Sequence, residues 1–422
     1  MKQLLLAIGL IASLLVKAQN DSVLIFKGAT LHIGNGTVIE NGLIRVEKGK
    51  ITYAGKDDPS ISVANAKVMQ LTGKHIYPGL IAPNTILGLT EIEAVRATQD
   101  NAEVGYYNPN VRSVIAYNTD SKIIPTIRSN GILLAEVAPV SGVIPGTSSV
   151  MKLDGWNWED AAYKKDIAIH LNWPSIYRAT GWWAEPGPIE LNKNYDKVVE
   201  EIKSFFAEAK AYAGQPANKT LNLKLEAVKG LFDKSKKLFV HVNSAREIMA
   251  VIDFNKTYQF PLVIVGGEET AQVADLLKAN KVQVVLYNLH SLPATMEEAI
   301  DMPFTTPSLL KQAGVEFCLS IGGSWQVRNL PFVAGTAAAY GLGKEEALAA
   351  ITSSTANILG IADSVGTLQA GKDATLIVSS GDLLDMKTSN VEFAYIRGKQ
   401  VDLDNQQKQL ARKFQDKYKR GQ

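Results

Sequence analysis

The sequence predicts an α/β fold: a TIM (β/α)8 barrel together with a discontinuous, composite β-sandwich domain. Short alternating runs bounded by turn residues occur near each end of the chain, and strand-like runs followed by helical runs fill the middle. With 422 residues, of which 46% are hydrophobic, the chain is long enough for two or three domains with large cores. A barrel between the two halves of a smaller domain accounts for this pattern.

The first 18 residues have the features of an export signal. Met1 and Lys2 form a short positive start, an apolar run follows from residue 4 to 16, and Ala18 is a small residue at the expected cleavage position. The run is too short for a transmembrane helix, and no later run reaches about 18 uninterrupted apolar residues, so we expect no membrane span. A signal peptide over residues 1–18 predicts a periplasmic or secreted protein.

The composite β-sandwich domain is expected from residues 19–76 and 356–404. Strand-like runs separated by glycine-containing turns lie in both parts: 23–26, 30–33, 42–46 and 51–53 in the first, and 366–368, 374–378 and 391–396 in the second. Each part is too short to bury a core by itself. We therefore expect the two parts to form one sheet domain that brackets the barrel.

The barrel is expected over residues 77–355. Eight runs predict its strands: 76–81, 132–137, 148–153, 166–171, 238–242, 262–265, 282–286 and 316–321. A doubly wound sheet is the alternative, but it would need a glycine-rich phosphate turn after an early strand, and the sequence has none there. Residues 405–422 predict a helical tail that docks through a stripe of Leu410, Phe414 and Tyr418.

Composition excludes several classes of function. Lys and Arg total 44 and Asp and Glu total 42, so the chain gives no electrostatic reason to expect a nucleic-acid partner. Cys318 is the only cysteine, which excludes a disulfide framework and a thiolate metal cluster. Because Phe317 and Leu319 flank Cys318, we expect it in the core rather than as a nucleophile.

Several longer motifs carry a resemblance to a known family. They are Gly-Lys-His-Ile-Tyr-Pro-Gly-Leu-Ile at 73–81, Arg-Asn-Leu-Pro-Phe at 328–332, and Gly-Thr-Leu-Gln-Ala-Gly-Lys-Asp-Ala at 366–374. With these motifs the chain resembles the amidohydrolase superfamily, in particular its imidazolonepropionase-like members. The resemblance implies a TIM barrel of the metal-dependent hydrolase type with a composite β-sandwich. It also implies hydrolysis of C–N bonds, in non-peptide or cyclic amides or in dipeptides, by a metal-activated water.

The resemblance also implies where metal ligands should stand, and most are missing. Asn84 and Ile86 replace the His-x-His pair after strand one, and Gly322 stands where strand eight would supply an Asp. His241 on strand five is the ligand that remains. We therefore expect a degenerate metal site without a metal cofactor. The candidate catalytic residue is His241, and the candidate substrate-binding residues are Trp325, Arg328 and Asn84.

Three alternatives stay open for the chemistry. A relocated site for zinc or another divalent metal would use the histidines near strand ends, His170, His241 and His290, with Glu268. Acid/base work by two carboxylates would use the acids of the first long loop, which are Glu91, Glu93, Asp100 and Glu103. The six tryptophans, all in predicted loops, either form a groove for a small molecule or short peptide or pack beneath the loops.

Two functions follow from these alternatives. One is an exported hydrolase of C–N bonds, as the resemblance implies. The other is a catalytically inactive relative that binds a ligand at the barrel mouth, or that acts as a subunit with a complete amidohydrolase paralogue or as a homo-oligomer.

Overall fold

A computed structural model describes residues 23–182, 184–216, 220–293 and 297–418. The predicted signal peptide, residues 1–18, lies outside the described residues. Within the described part of the chain, none of the helices combines the length and the apolar character needed to cross a membrane.

The chain contains two large sheets and a two-stranded ribbon. The described strands are β1 Val23–His32, β2 Val38–Glu47, β3 Lys50–Lys56, β4 Ala66–Gln70, β5 His75–Pro78, β6 Leu80–Thr85, β7 Ile132–Val137, β8 Gly146–Lys152, β9 Ala162–Asn172, β10 Tyr177–Trp182, β11 Glu185–Leu191, β12 Lys237–Val242, β13 Leu262–Gly266, β14 Gln283–Tyr287, β15 Phe317–Ser320, β16 Leu376–Ser379, β17 Val391–Ile396 and β18 Lys399–Gln400.

Helices connect and cover these strands. The described α-helices are α1 Ser113–Ala116, α2 Ile124–Arg128, α3 Trp158–Ala161, α4 Tyr195–Ala213, α5 Leu223–Ala227, α6 Lys229–Phe232, α7 Ala245–Lys256, α8 Ala274–Ala279, α9 Met302–Ala313, α10 Leu330–Ala337, α11 Lys344–Ala349, α12 Ser353–Ile358 and α13 Gln406–Tyr418.

The first sheet joins the two ends of the chain. Its strand order is β18-β17-β16-β5-β1-β2-β3, with β4 also paired to β1. The link between the N-terminal and C-terminal parts is the antiparallel pair β5–β16, in which His75 lies opposite Ser379 and Pro78 opposite Leu376. Phe26, Leu31 and Tyr395 belong to an apolar core of this sheet. The prediction that both chain ends share one sheet domain is confirmed.

The second sheet forms the barrel. Its order is β15-β14-β13-β12-β9-β8-β7-β6, so seven of the eight predicted barrel strands are present near their predicted places. The predicted first strand, 76–81, is wrong in its bounds: its first part is β5 of the other sheet, and the barrel strand is β6, because the chain passes directly from one sheet into the next at Gly79. The edge strands approach each other where the Ser320 hydroxyl donates a hydrogen bond to the Pro83 carbonyl oxygen (2.7 Å). This nearly closed sheet confirms the predicted fold class.

The third barrel strand runs opposite to the prediction. A (β/α)8 barrel has eight parallel strands, but β8 is antiparallel to both β7 and β9. Residues 138–145, between β7 and β8, are too few for a crossover helix, which parallel neighbours require. The chain therefore turns back directly after β7, and the other neighbouring strands of the barrel are parallel.

The barrel interior is filled in layers. One buried cluster contains Leu134, Phe239, Val285 and Cys318 from the strands and Ile358 from α12. Cys318 is fully buried, as its apolar flanks predict. Side chains two residues apart on a strand share a face, so the next inward positions toward the carboxyl ends form another layer. That layer includes Glu136, His170, His241, Tyr287 and Ser320.

The C-terminal helix does not dock its apolar stripe. No residue of α13 is buried, and Leu410, Phe414 and Tyr418 are 43%, 50% and 59% exposed. The first turn is held at Gln407, whose side-chain oxygen accepts a hydrogen bond from the Thr126 hydroxyl (2.8 Å). The prediction of a docked stripe is therefore wrong within the described residues, because amphipathicity alone does not specify a partner surface.

Candidate functional site

A cavity of about 510 Å³ opens at the carboxyl ends of the barrel strands. Its polar lining consists of Asn84, Thr85, Asn101, Asn172, Ser175, His241, Asn243, Glu247 and Tyr287. Its apolar lining includes Ile86, Ala138, Val140, Trp173, Val242, Val265 and Ile321. The cavity is therefore an amide-rich site with hydrocarbon walls, at the position where TIM barrels bind their ligands.

The one carboxylate in the described lining accepts hydrogen bonds through one of its two oxygens. Glu247 is buried, and its Oε1 atom accepts hydrogen bonds from the Ser175 hydroxyl (3.0 Å) and the Ile176 N–H (2.7 Å). The other polar lining groups are amides, hydroxyls and an imidazole. Glu247 is the one charged side chain in the described lining, so most of that lining suits the neutral polar groups of a ligand.

A chain of three hydrogen-bonded side chains leads from the cavity wall into the barrel. Nε2 of His241 lies 2.9 Å from Nδ1 of His170, and Nε2 of His170 lies 3.1 Å from Oε1 of Glu136. Glu136 and His170 are fully buried, whereas His241 keeps part of its surface open and lines the cavity. We call these three residues the mouth triad.

Glu136 is the best-satisfied member of the mouth triad. Besides His170, it accepts hydrogen bonds from the Ser148 hydroxyl (2.7 Å) and from the backbone N–H of Asn84 (2.9 Å). Burial raises the pKa of Glu136, but the bond and charge of His170 and the bonds from Ser148 and Asn84 outweigh this effect and hold the pKa below its usual value. Glu136 is therefore a carboxylate at neutral pH.

His241 is neutral at physiological pH. Burial and then the proximity of His170 lower its pKa from 6.5 to about 3. Only one of its ring nitrogens is occupied within the mouth triad; Nδ1 has no hydrogen-bond partner among the described residues. A neutral imidazole with one free nitrogen can exchange a hydrogen bond with a bound ligand.

The structure brings two of the relocated-site candidates together and separates the others. His170 and His241 are neighbours in the mouth triad. His290 lies three residues beyond the end of β14, is exposed, and has Nε2 2.8 Å from the Thr336 hydroxyl oxygen. Glu268 is exposed and lines a second, smaller cavity rather than the barrel mouth.

Of the three candidate substrate-binding residues, one lines the cavity and two do not. Asn84 lines the cavity, and its positive φ of 52° is a conformation that asparagine adopts more readily than most residues. Trp325 and Arg328 do not line it. Arg328 instead donates a hydrogen bond to the backbone oxygen of Trp325, and Trp325 packs against the barrel's main apolar core.

The loop acids form no catalytic pair with one another in the described hydrogen bonds. Glu91 accepts hydrogen bonds from Asn118 and the Lys122 N–H, each at 3.3 Å, and Glu93 accepts one from Ser324. Both of these acids satisfy loop groups.

The tryptophans do not form one groove. Trp173 lines the cavity, Trp156 and Trp182 are 89% and 56% exposed, and Trp158 packs against the core. Trp183 lies outside the described residues. Of the five described tryptophans, one therefore lines the candidate site, and the other four lie elsewhere.

Neighbouring side chains crowd two glycines at the barrel mouth: Gly322, where the resemblance implies an Asp, and Gly266. A Cβ atom on Gly322 would lie 2.2 Å from the hydroxyl oxygen of Tyr287, and one on Gly266 would lie 2.3 Å from Oδ1 of Asn243. Across the described ranges, no group of three or more His, Cys, Asp or Glu side chains is placed to hold a metal ion. A zinc site takes about four ligands converging on one point, and the residues described at the barrel mouth do not fit that requirement.

Sequence reasoning missed Glu136, Asn172, Asn243 and Tyr287. Glu136 carried a usable signal: it is a single carboxylate in the otherwise apolar β7 run Ile132–Val137, and a buried acid requires partners. The asparagines and Tyr287 carried no such signal, because they stand at strand ends where polar residues are ordinary.

Comparison with known proteins agrees with this fold and cavity position. A model of the amidohydrolase family matches residues 258–401. The chain is 24% identical over 370 residues to the imidazolonepropionase of Mesorhizobium japonicum, a match that covers 81% of this chain and 87% of that protein.

Solved structures give the same result. An amidohydrolase from Thermotoga maritima MSB8 superposes with a TM-score of 0.76 at 25% identity, covering 90% of this chain and 99% of that one. A prolidase solved with N-methylphosphonate-L-proline has the same fold, with a TM-score of 0.57 at 15% identity, covering 90% of this chain and all of that one.

The barrel and its attached sheet domain define a TIM-barrel protein of the metal-dependent hydrolase type. The chain is similar to the amidohydrolase family, and in particular to its imidazolonepropionase-like members, as the sequence motifs predict.

Proposed function

We propose that this protein binds a small neutral amide or cyclic amide at the barrel mouth and does not use the metal chemistry of its family. The observation that carries the proposal is the lining: among the described residues no group of three or more His, Cys, Asp or Glu side chains could hold a metal ion, and Tyr287 crowds Gly322, where the resemblance implies an Asp. An amide-rich lining replaces a set of metal ligands, and such a lining recognises the polar edges of a neutral ligand.

The ligand class is supported by the relatives. The curated relative is an imidazolonepropionase, and one solved neighbour is a prolidase, so both names point to compounds with a C–N bond. The cavity volume of about 510 Å³ accommodates a molecule of that size. A cyclic amide or a short peptide is the ligand class that we propose.

A second candidate is hydrolysis of a C–N bond without a metal. The specific observation in its favour is the mouth triad, in which a carboxylate orients one imidazole and that imidazole contacts the next, much as an acid orients a catalytic histidine. His241 would be the group that takes a proton from water. Its pKa of about 3 makes it a weak base at neutral pH, which is why binding is the first proposal.

Export is part of the proposal, on the strength of the N-terminal sequence. Mass spectrometry of the protein recovered from a native host should find a mature chain that begins at Gln19. An intact Met1 in the functional protein would contradict export by cleavage. Association with a complete amidohydrolase paralogue or as a homo-oligomer also stays a prediction.

Metal analysis and ligand binding together test the proposed function. Protein purified without chelator should hold much less than one equivalent of zinc, and calorimetry with hydantoin, other cyclic amides and Xaa-Pro dipeptides should find a ligand. Near-stoichiometric zinc that disappears in both His170→Gln and His241→Gln would overturn the first proposal. Release of a ring-opened or cleaved product, unaffected by chelator and lost in His241→Gln, would establish the second candidate instead.

A further inference from the structure

One oxygen of the Glu247 carboxylate is left for the barrel-mouth cavity. Oε1 accepts hydrogen bonds from the Ser175 hydroxyl (3.0 Å) and the Ile176 N–H (2.7 Å), whereas Oε2 has no hydrogen-bond partner among the described residues. Glu247 is only 5% exposed and lines the cavity, yet Oε2 is not sealed off from solvent. The cavity is therefore the space that Oε2 reaches.

The protein supplies no cation to this carboxylate from the cavity wall. The described lining contains neither lysine nor arginine. Glu247 is the third residue of α7, where its backbone N–H donates to the Ser244 hydroxyl (3.3 Å), and the free N–H groups at that end of a helix favour a negative charge. A carboxylate that is more than nine-tenths buried is costly without a positive partner, so the cavity suits a ligand that brings one.

A neutral acceptor belongs to the same part of the cavity wall. The side-chain NH₂ of Asn172 donates a hydrogen bond to the Gly142 carbonyl oxygen (2.8 Å), which leaves its own oxygen without a partner among the described residues. Ser175, which binds Glu247, follows Asn172 by only three residues, so the two free acceptors cannot be far apart. An ammonium group has three N–H donors and needs several acceptors around it.

We propose that Glu247 binds an ammonium group of the ligand, with the oxygen of Asn172 as a second acceptor, so that the ligand is a cyclic amide or short peptide with a free amino group. The amide part of this ligand rests on the proposed function, whereas the ammonium site does not. An ammonium forms a charge-assisted hydrogen bond with a carboxylate, which is stronger than the bond that a neutral group forms in the same place.

Isothermal titration with three γ-butyrolactams measures the ammonium site in the unsubstituted protein. The three compounds share the cyclic amide and carry an amino, a hydroxyl or an acetylated amino group beside the carbonyl. The amino compound should bind about tenfold or more tightly than the hydroxyl compound, the effect of one charge-assisted hydrogen bond to a buried acceptor. The acetylated compound has no positive charge and should bind no more tightly than the hydroxyl compound. Equal affinities of the amino and hydroxyl compounds would overturn the inference.

Glu247→Gln assigns the preference to one residue. The substitution keeps an oxygen that can accept from Ser175 and Ile176, and it places an NH₂ group where Oε2 stood, so the preference for the amino compound should disappear. The matched control is Glu269→Gln. It removes a carboxylate that accepts from the Ala245 N–H (2.7 Å) at the same end of α7 but does not line the cavity, so the preference should remain. A preference that survives Glu247→Gln, or that Glu269→Gln abolishes equally, would overturn the assignment.

Benzylamine has an ammonium group but no amide, so it separates this inference from the proposed function. If the lactams bind without any preference for the amino compound, the proposed function stands and the ammonium site is wrong. If no amide binds but benzylamine does, and this binding is lost in Glu247→Gln, the proposed function fails while the ammonium site stands. If neither benzylamine nor any lactam binds, both are overturned.

Discussion

Two regions of the molecule contain the same three groups, two imidazoles and a carboxylate, in the same linear order. One is the mouth triad. The other lies where the sheet domain meets the barrel: Nδ1 of His32 is 2.7 Å from Oε1 of Glu345, and Nε2 of His32 is 3.1 Å from Nδ1 of His75. We call these residues the sheet triad.

The two triads differ in burial and in what lies at their ends. The acid and central imidazole of the mouth triad are fully buried, whereas the side chains of His32 and Glu345 in the sheet triad are 14% and 20% exposed. His32 also stacks on Tyr77, with ring centroids 4.3 Å apart. The mouth triad ends at a cavity, whereas the sheet triad ends at His75, near the charges of Lys344 and Asp382.

The comparison teaches that composition does not decide the role of such a cluster. Burial lowers the pKa of the terminal histidine in both triads, to about 3 at His241 and by a smaller amount at His75, where the charge of His32 adds to the effect of burial. Only the mouth triad offers its terminal imidazole to a ligand-sized space. The sheet triad joins β1 and β5 to α11, and we expect it to be structural.

The largest difference should appear when the acid of each triad is removed. Glu136→Ala leaves three donors in the barrel interior without an acceptor, so it should lower the free energy of unfolding by about 3–5 kcal/mol. Glu345→Ala breaks a partly exposed pair and should cost about 1 kcal/mol. Urea denaturation of the two variants measures both values. Similar losses would show that the two triads do not differ in the way their burial indicates.

As the pH is lowered, the protein should lose stability first through His241 and only at lower pH through Glu136. The folded pKa of His241 is about 3 and its unfolded pKa is about 6.5, so the unfolded chain binds more protons between these values, and stability falls as the pH falls below about 6.5. From pH 7.5 to pH 5 this histidine should cost about 1–2 kcal/mol, a value reduced for its contact with the open cavity.

Glu136 acts in the same direction at lower pH. Its folded pKa is depressed, so its contribution is present above its unfolded pKa and is lost as the pH falls through the folded value. Urea denaturation at pH 7.5 and pH 5 should therefore show a shallower pH dependence for His241→Gln than for the unsubstituted protein. His75→Gln should reduce the pH dependence of the unfolding free energy less than His241→Gln does. A larger reduction for His75→Gln would show that the sheet triad, not the mouth triad, dominates the pH dependence.

Ligand affinity should depend on one triad only. Removing the imidazole at the cavity wall by His241→Ala should weaken binding of hydantoin about tenfold, equivalent to about 1.4 kcal/mol. His75→Ala is the matched control, because it removes the terminal imidazole of the sheet triad and should leave the affinity unchanged. Isothermal titration of both variants provides the measurement, and equal losses would mean that the His241 effect is indirect.

The smallest effect is expected within the sheet triad itself. His32→Phe keeps a ring that can stack on Tyr77 but loses the hydrogen bonds to Glu345 and His75. Because these groups are partly exposed and water can replace the lost partners, the change in unfolding free energy should be within about 1 kcal/mol. A loss as large as that of Glu136→Ala would give the sheet triad a stability role equal to that of the mouth triad.

The fold could be predicted from the sequence because its signals are local. Apolar strand runs bounded by turns identified seven of the eight barrel strands, and the two β-rich ends matched one sheet. The first barrel strand was placed too early, because the apolar run at 76–81 spans the end of β5 and the start of β6. The direction of β8 was not predicted, although residues 138–145 offer no helical run between β7 and β8. Strand direction depends on the connection, and the prediction assumed a regular repeat.

The candidate site could be predicted only in part, because it depends on strand phase. His170 and His241 each stand two positions after a residue that points into the barrel, Ala168 and Phe239, and so they lie in the same layer of the barrel interior. His290 lies beyond the end of β14 and has no such position. Glu136 completed the mouth triad but was counted as part of an apolar run. Trp325 and Arg328 were expected at the site from the family's loop alone, and the course of that loop past the cavity is a tertiary property.

The pairing of β5 with β16 sets an order of events during synthesis. Residues of β5 are made early, but their partners in β16 follow about 300 residues later, so this pairing has a very long loop to close. Until then one edge of β5 is open to pairing with another chain, a hazard that unfinished sheets share. In a truncated chain that ends before Leu376, this edge of β5 stays unpaired. Completion of the sheet is therefore a late step in folding, reached only when nearly the whole chain has been made.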